Sequence, residues 1–436
     1  MASTPASSPL PPLAPEAYEI GADDATHERM RRDFAALGDT YRVASPSRGT
    51  EAWVIHDPED VKRVLLSNHR NYTKGLGLDR VKILLGNGIM VSEGALWRRQ
   101  RRMMQPLFHR RVIQNFAEVI DQANAEMLER WSSLAAAGEP VDVTDETSEL
   151  ALGIILRALF GRDLAWLSER MGGNPFAVVT DMPERNLQFA YRFRSLTRLV
   201  RELAARRRDG AEEHYDYLAM LMSAQDRETG ASMDERELVD EVMTLVVAGH
   251  ETTAASLNMA WFLLSQDPAV EARLHTEVDA RSDQGAMTYQ DAEDMSWTQC
   301  VLKEAMRLYP PGWLLTRRPV EPDRLGGYDV PAGTDVLLSP YFVHRHPEHW
   351  EDPESFRPER FEGNAADSRH KFAYFPFAVG PRHCIGENFA MFEMTIHLAQ
   401  VARRFRLRYL DERPIEFEAQ VNLRTRHNLR YRLEPR

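Results

Sequence analysis

Residues 377–390 read FAVGPRHCIGENFA. Cys384 stands there between Gly380 and Gly386, just ahead of a run with the texture of a helix start. The chain has one other cysteine, Cys300. Ahead of a helix, unpaired backbone N–H groups and the helix dipole favour negative charge. That lowers a thiol pKa and favours the thiolate. Gly380 and Gly386 permit tight turns and close backbone approach. Taken alone, such a thiol is a nucleophile, a structural residue or a metal ligand. His383 is its neighbour, but nothing nearby has the CxxC-type spacing of a structural zinc site.

The rest of the chain bounds the choice. It has 436 residues, 43% of them hydrophobic, which is ample for a large core. A formal net charge of −12 makes a general nucleic-acid binder a poor reading. No window approaches ~18 uninterrupted apolar residues, so no membrane span is expected. Residues 1–20, MASTPASSPLPPLAPEAYEI, lack a basic start and an apolar block, and read as a flexible Pro/Ser-rich leader. Two cysteines cannot make a disulfide framework, and with no export signal a cytoplasmic location is expected. Length alone suggests about two or three domains. No Gly/Ser/Pro linker divides the chain after the leader, so a single domain over residues 21–436 is expected.

Periodicity gives a mainly α chain with a small β portion. Helical spacing covers residues 28–38, 57–67, 110–160, 185–225, 234–265 and 294–308. TYRVASPSRGTEAWVIHD reads as a short hairpin around Ser-Pro-Ser-Arg-Gly. Beyond residue 320, short β-like runs alternate with Gly-Gly and Pro-Ala-Gly turns. A last helix over 387–404 precedes the strand-like RFRLRYL and a C-terminal hairpin.

Four further constellations stand out. AGHETT, residues 248–253, puts a polar island in a long apolar helix. Gly249 costs about 1 kcal/mol relative to alanine there, and the threonine hydroxyls can bond back to the carbonyl one turn earlier. Glu251 beside Thr252 in an apolar surround could relay protons; one wet spot in a helix is the plainer reading. In KEAMRLYPPGW, Glu304 and Arg307 lie three apart on one helical face. A pair of that kind is ordinarily an exposed salt bridge worth under ~0.5 kcal/mol. DPESFRPERF carries Arg360, which could complete a buried Glu304–Arg307–Arg360 network. GALWRRQRRMMQPLFH sets Trp97 and Arg101 four apart, an indole donor and a guanidinium fork, although a solvated basic face is the plainer reading. For the thiol, one more option exists: an axial haem thiolate needs only one cysteine.

Together these residues resemble the cytochrome P450 haem-thiolate monooxygenases of soluble bacterial type. Phe377, Gly380, Arg382, Cys384 and Gly386 match the family's FxxGxRxCxG loop. Glu304 and Arg307 match ExxR; Ala248 to Thr253 match the acid–threonine motif; Pro358 to Phe361 match the PERF-type motif; Trp97 and Arg101 match WxxxR. All five occur in the family's order. The loop is highly specific, and ExxR alone is weak.

The resemblance implies a P450 fold with haem b held by Cys384 as thiolate, and dioxygen as co-substrate. It implies that Phe377 shields the sulfur, and that Trp97, Arg101, Arg382 and either Arg317 or Arg318 hold the propionates. Ala248, Glu251 and Thr252 would lie on the distal side, at a kink of the long helix. A hydrophobic pocket is expected from residues 76–90, 171–196, Met243 to Val247, Trp313 to Leu315 and Val421 to Leu423. Leu84, Met243, Val247, Leu314, Leu315 and Val421 are its named candidates; for about half of these positions plain core is an equal reading.

Residues 387–436 leave no room for a flavin or iron–sulfur domain. Electrons from NAD(P)H would then arrive through a ferredoxin or flavodoxin and its reductase. Arg98, Arg99, Arg101, Arg102, Arg110 and Arg111 form a basic cluster suited to an acidic partner. A monomer acting on a fatty-acid, terpenoid or secondary-metabolite-like compound, by hydroxylation or epoxidation, is expected. A peroxide-driven peroxygenase and a non-enzymatic haem-thiolate sensor are the alternatives; Glu251–Thr252 argues against both.

Overall fold

Capping carboxylates set many of the helix starts. Asp23 accepts from the Thr26 N–H at 2.7 Å, so the first helix begins at Asp24, ahead of the expected residue 28. Asp57 caps Pro58–Lys62 in the same way, and that helix runs on as a π turn over Arg63–Ser67. Asp234 and Glu237 form a reciprocal capping box ahead of the longest helix.

The computed structural model describes residues 9–181, 187–210, 212–281, 285–363, 369–411 and 413–436. Among these, the helices of eleven residues or more are α1 Asp24–Leu37, α2 Gly94–Met104, α3 Ala117–Ala137, α4 Val143–Phe160, α5 Leu187–Asp209, α6 Glu235–Gln266, α7 Pro268–Asp279, α8 Ser296–Leu308 and α9 Glu387–Arg404. The strands are β1 Thr40–Ser45, β2 Thr50–Ile55, β3 Tyr72–Lys74, β4 Val141–Asp142, β5 Leu315–Pro319, β6 Asp323–Leu325, β7 Tyr328–Val330, β8 Asp335–Leu338, β9 Phe405–Tyr409, β10 Phe417–Ala419, β11 Leu423–Thr425 and β12 Arg430–Pro435. The mainly α class with a small β portion is therefore observed. No described helix is long and apolar enough to cross a membrane.

The chain divides into two compact units. The first holds Met1–Leu78, Lys303–Cys384 and Glu416–Arg426. Its main sheet has the order β1-β2-β8-β5-β3, antiparallel except for the β2–β8 pair. Side chains alternate across the strands, and both faces are covered. Val54 and Leu337 join one core cluster with Tyr41 and Trp313, while Trp53, Ile55, Val336 and Leu338 join another with Val64 and Phe375. Residues 11–20, read from sequence as part of the leader, run along β1. Ala14 N donates to Arg42 O at 2.8 Å, Arg42 N donates to Pro12 O at 2.8 Å, and Tyr18 is buried.

The second unit holds Asp79–Leu302, Ile385–Ile415 and His427–Arg436. Here α6 packs along α4. Gly249 makes this close: a Cβ there would stand 3.0 Å from Ile155 Cγ1. Asn258 Oδ1 takes the Thr147 hydroxyl at 2.8 Å, and His250 Nε2 meets Ser148 Oγ at 2.8 Å. A buried chain joins α6, α9 and α3. Trp261 Nε1–H can only donate, so His397 Nε2 accepts at 3.0 Å and Nδ1–H donates to Asn124 Oδ1 at 2.9 Å. Burial pulls the His397 pKa down to about 3, which keeps that tautomer neutral. The sheet β4-β12-β9 closes the C-terminus of this unit.

Candidate active site

In the first unit, the Cys384 loop is folded onto itself by backbone bonds. Cys384 N donates to Phe377 O at 2.9 Å, His383 N to Gly380 O at 3.0 Å, and Ala378 N to Phe375 O at 3.0 Å. The turn needs two residues in the left-handed region, Ala378 at φ 58° and Gly380 at φ 77°. Gly380 also lies hard against the π turn, where a Cβ would fall 2.1 Å from Leu65 O. Only glycine serves both demands. Phe377 and Arg382 are half-buried and Cys384 is exposed, whereas Cys300 is buried.

Behind this loop the first unit carries a buried ion network. Glu304 and Arg307 are both 0% exposed, so the plain surface-pair reading does not hold. All five guanidinium donors of Arg307 are used. Nε and Nη2 take the two Glu304 oxygens at 2.7 and 2.8 Å; Nη1 reaches His344 O at 2.9 Å and Pro353 O at 2.7 Å; Nη2 also reaches Ser355 O at 3.0 Å. Arg360 Nε lies 3.3 Å from Glu304 Oε1, and Arg357 N donates to the same oxygen at 2.9 Å. His344 connects this network to the loop: its Nε2 accepts from Phe375 N at 2.9 Å. Burial, with Arg307 adding to it, holds the His344 pKa well below its ordinary value. His344 was missed in the sequence because HRHPEHW shows three histidines and no spacing that selects one.

In β5, strand alternation separates the two candidate arginines. Arg318 is exposed and binds Asp335 Oδ1 at 2.8 and 3.2 Å. Arg317 is 8% exposed, on the other face. The expected pocket residues divide as well. Leu314 and Leu315 are half-buried and Val421 is exposed. Trp313 is core, its Nε1 donating to Gln420 O at 2.8 Å, and Leu423 is core beside it.

In the second unit, α6 is helical without a break from Glu235 to Gln266, with AGHETT at mid-length. Gly249 and His250 face α4, while Ala248 is exposed and Val247, Glu251 and Thr252 are half-buried. In a helix whose neighbouring residues are nearly all buried, this is an open strip at mid-length. The Thr252 hydroxyl donates to Ala248 O at 2.8 Å, the back-bond the sequence allows. Trp97 and Arg101 are half-buried on α2, with Arg101 Nε donating to Gln105 Oε1 at 3.2 Å. Leu84 is half-buried and Met243 is core; Gly386 is the N-cap of α9. Residues 182–186 of the expected pocket segment lie outside the described residues.

Among the described residues, no group of three or more His, Cys, Asp and Glu side chains is arranged to hold a metal ion. An exposed thiol with Arg382 two residues before it fits a metal complex that brings its other ligands and carries an anionic arm. The cytochrome P450 family model matches residues 5–182 and 180–433.

The chain is a cytochrome P450.

Cyclooctatin synthase of Streptomyces melanosporofaciens is 37% identical to this P450 over 396 residues, 87% of this chain and 85% of that protein. Cyclooctat-9-en-7-ol 5-monooxygenase of the same organism is 34% identical, covering 93% of each. Pentalenene oxygenase of Streptomyces avermitilis is 29% identical, covering 92% of each. The crystal structure of the cytochrome P450DA haem domain matches with a TM-score of 0.86 over 99% of both chains at 22% identity, a likeness of fold. This P450 is a monooxygenase of a family that carries haem on a cysteine thiolate and uses dioxygen.

Proposed function

We propose that this P450 holds haem b through Cys384 and oxygenates terpenoid-class substrates with electrons from separate partner proteins. The observation that carries the reading is the Cys384 loop, which presents an exposed thiol on a glycine-bent backbone. Arg382, Arg317, Arg101 and Trp97 would hold the propionates. Arg318 is committed to Asp335, which leaves Arg317 as the candidate from β5. Haem bound there supplies dioxygen activation and insertion of one oxygen atom into the substrate. The chain's own share is to bind, exclude water and deliver protons. With its hydrogen on Ala248 O, the Thr252 oxygen keeps lone pairs to accept a bond from the open side of the strip. Glu251, one residue earlier, is the titratable group that would feed protons to it.

The terpenoid assignment is supported by the names of the three Streptomyces relatives. Pentalenene and cyclooctat-9-en-7-ol should shift the haem toward high spin at lower concentration than straight-chain fatty acids do. The reverse order would overturn the assignment. Thr252→Ala should raise the peroxide released per electron pair consumed, by about tenfold if the hydroxyl carries a usual share of proton transfer. Coupling as tight as in the parent would remove Thr252 from the mechanism.

The basic cluster on and after α2 is smaller than its sequence suggests. Arg99 is paired with Glu237, Arg110 with Glu293, and Arg102 with Glu228 and, through two bonds of 2.8 and 3.0 Å, with the buried Asp226. The Arg102 hydrogen bonds hold the Asp226 carboxyl below the usual carboxylate range. Arg98 and Arg111 are exposed. An acidic ferredoxin or flavodoxin would therefore be steered by Arg98 and Arg111. Arg98→Glu should slow reduction by such a partner about tenfold at low ionic strength, with the difference fading as salt rises. Equal rates for Arg98→Glu and the parent across ionic strengths would exclude it.

A further inference from the structure

Upstream of the open strip, α6 carries a second row of polar side chains that the proposed oxygen chemistry does not use. Glu237, Asp240, Glu241 and Thr244 are spaced by three and four residues and share one helical face. One segment, residues 86–100, occupies that row. Glu237, which already closes the helix cap, takes Nη2 of Arg99. Asp240 Oδ2 accepts from Asn87 N at 2.8 Å. Glu241, 0% exposed, accepts from Ile89 N through Oε2 at 2.9 Å. Gln100 Nε2 donates to Asn87 O at 2.9 Å, and the Ser92 hydroxyl donates to Gln100 Oε1 at 2.5 Å.

Two glycines make the approach possible. A Cβ on Gly88 would stand 2.2 Å from Thr244 Oγ1 and 2.8 Å from Asp240 O. Gly86 has φ 64°, and a Cβ there would fall 2.1 Å from Asp240 Oδ1. Burying a carboxylate is costly unless it is well bonded, and an ionised acceptor makes a hydrogen bond roughly twice as strong as a neutral one. Hydrogen bonds to amides two residues apart fix both the position and the direction of a loop, which apolar packing does not.

The position of this clasp gives it a purpose. At 1.5 Å per residue, Thr244 is about 6 Å along α6 from Ala248 and about 12 Å from Thr252, on the same face. Residues 86–91 therefore bound the N-terminal end of the open strip, with Leu85, Ile89 and Val91 buried around the contact.

We propose that Asp240 and Glu241 are positioning residues, which fix residues 86–91 as one wall of the substrate space over Ala248–Thr252 and so set which substrates fit. The inference rests on the strip being the oxygenation site, and its test separates the two. Imidazole and 4-phenylimidazole both coordinate haem iron through a ring nitrogen, but only the second extends a ring into the space beside it. Glu241→Leu removes the acceptor, Glu241→Gln keeps one, and Gly88→Ala pushes the loop off Thr244 without altering α6.

Hydrogen exchange in the peptide spanning 85–92 should quicken in Glu241→Leu and Gly88→Ala and stay near the parent in Glu241→Gln. The ratio of 4-phenylimidazole to imidazole affinity should change about tenfold in the first two, about 1.4 kcal/mol, and be restored in the third. Unchanged exchange, or an unchanged ratio, overturns the proposal. If Glu241→Leu does not accumulate, Gly88→Ala alone decides it. A parent protein without the thiolate carbonyl band would instead overturn the haem-thiolate reading, and the exchange data would still decide whether the clasp holds the loop.

Discussion

Arg307→Ala is expected to leave no haem-loaded, folded protein, rather than a folded enzyme of lower activity. Removing the guanidinium takes the bidentate partner from Glu304, which is 0% exposed, and leaves it the more distant Arg360 and the Arg357 amide. Removing one partner of a buried ion pair costs up to about 3–5 kcal/mol, less where a second cation remains. The carbonyls of His344, Pro353 and Ser355 lose their donor at the same time, at about 1–3 kcal/mol for each group left dry. Against a total stability of about 5–15 kcal/mol, the sum is decisive. The damage would also reach the Cys384 loop, because His344 holds Phe375 N and Phe377 O holds Cys384 N. Soluble yield, the thermal melt and haem content measure the effect. An Arg307→Ala protein melting within a few degrees of the parent, with haem bound, would show that the network is not what supports the loop. Arg307→Lys offers three donors where five are used and should fall between the two.

Cys384→Ser should abolish monooxygenase turnover, by on the order of a thousandfold or more, while leaving the fold in place. Cys384 is exposed, and serine keeps the backbone N–H that donates to Phe377 O. What is lost is the proposed thiolate ligand. The ferrous carbonyl complex should therefore lose its strongly red-shifted Soret band, with the thermal melt of the apoprotein little changed. Cys300→Ser supplies the control. Cys300 is buried, so a small loss of stability with the band retained is expected there. A Cys384→Ser protein that kept the band, or a Cys300→Ser protein that lost it, would move the ligand away from Cys384.

Sequence and structure divide the site in a way that particular residues make plain. The spacing of Glu304 and Arg307 gives their shared helical face, because three residues along a helix is a local distance. It does not give their burial, which depends on carbonyls at residues 344, 353 and 355. The adjacent Arg317 and Arg318 are indistinguishable as letters. They part only when β5 pairs with β3 and β8, which turns one inward and leaves the other on Asp335. The six arginines on and after α2 look equivalent in sequence, yet Arg99, Arg102 and Arg110 find carboxylates more than a hundred residues away. Trp313 and Leu423 look like pocket residues by position and prove to be core.

The sequence by itself determined the family, the thiol loop and the order of the motifs. Glycine at 380, the acid–threonine pair and the cysteine before a helix are local chemical requirements written in single residues. Tertiary structure decided which charges are buried, which of Arg317 and Arg318 turns inward, and what holds residues 86–91 to α6. Those outcomes depend on long-range partners and on which face of each element is covered. Neither is encoded in the spacing of neighbouring letters.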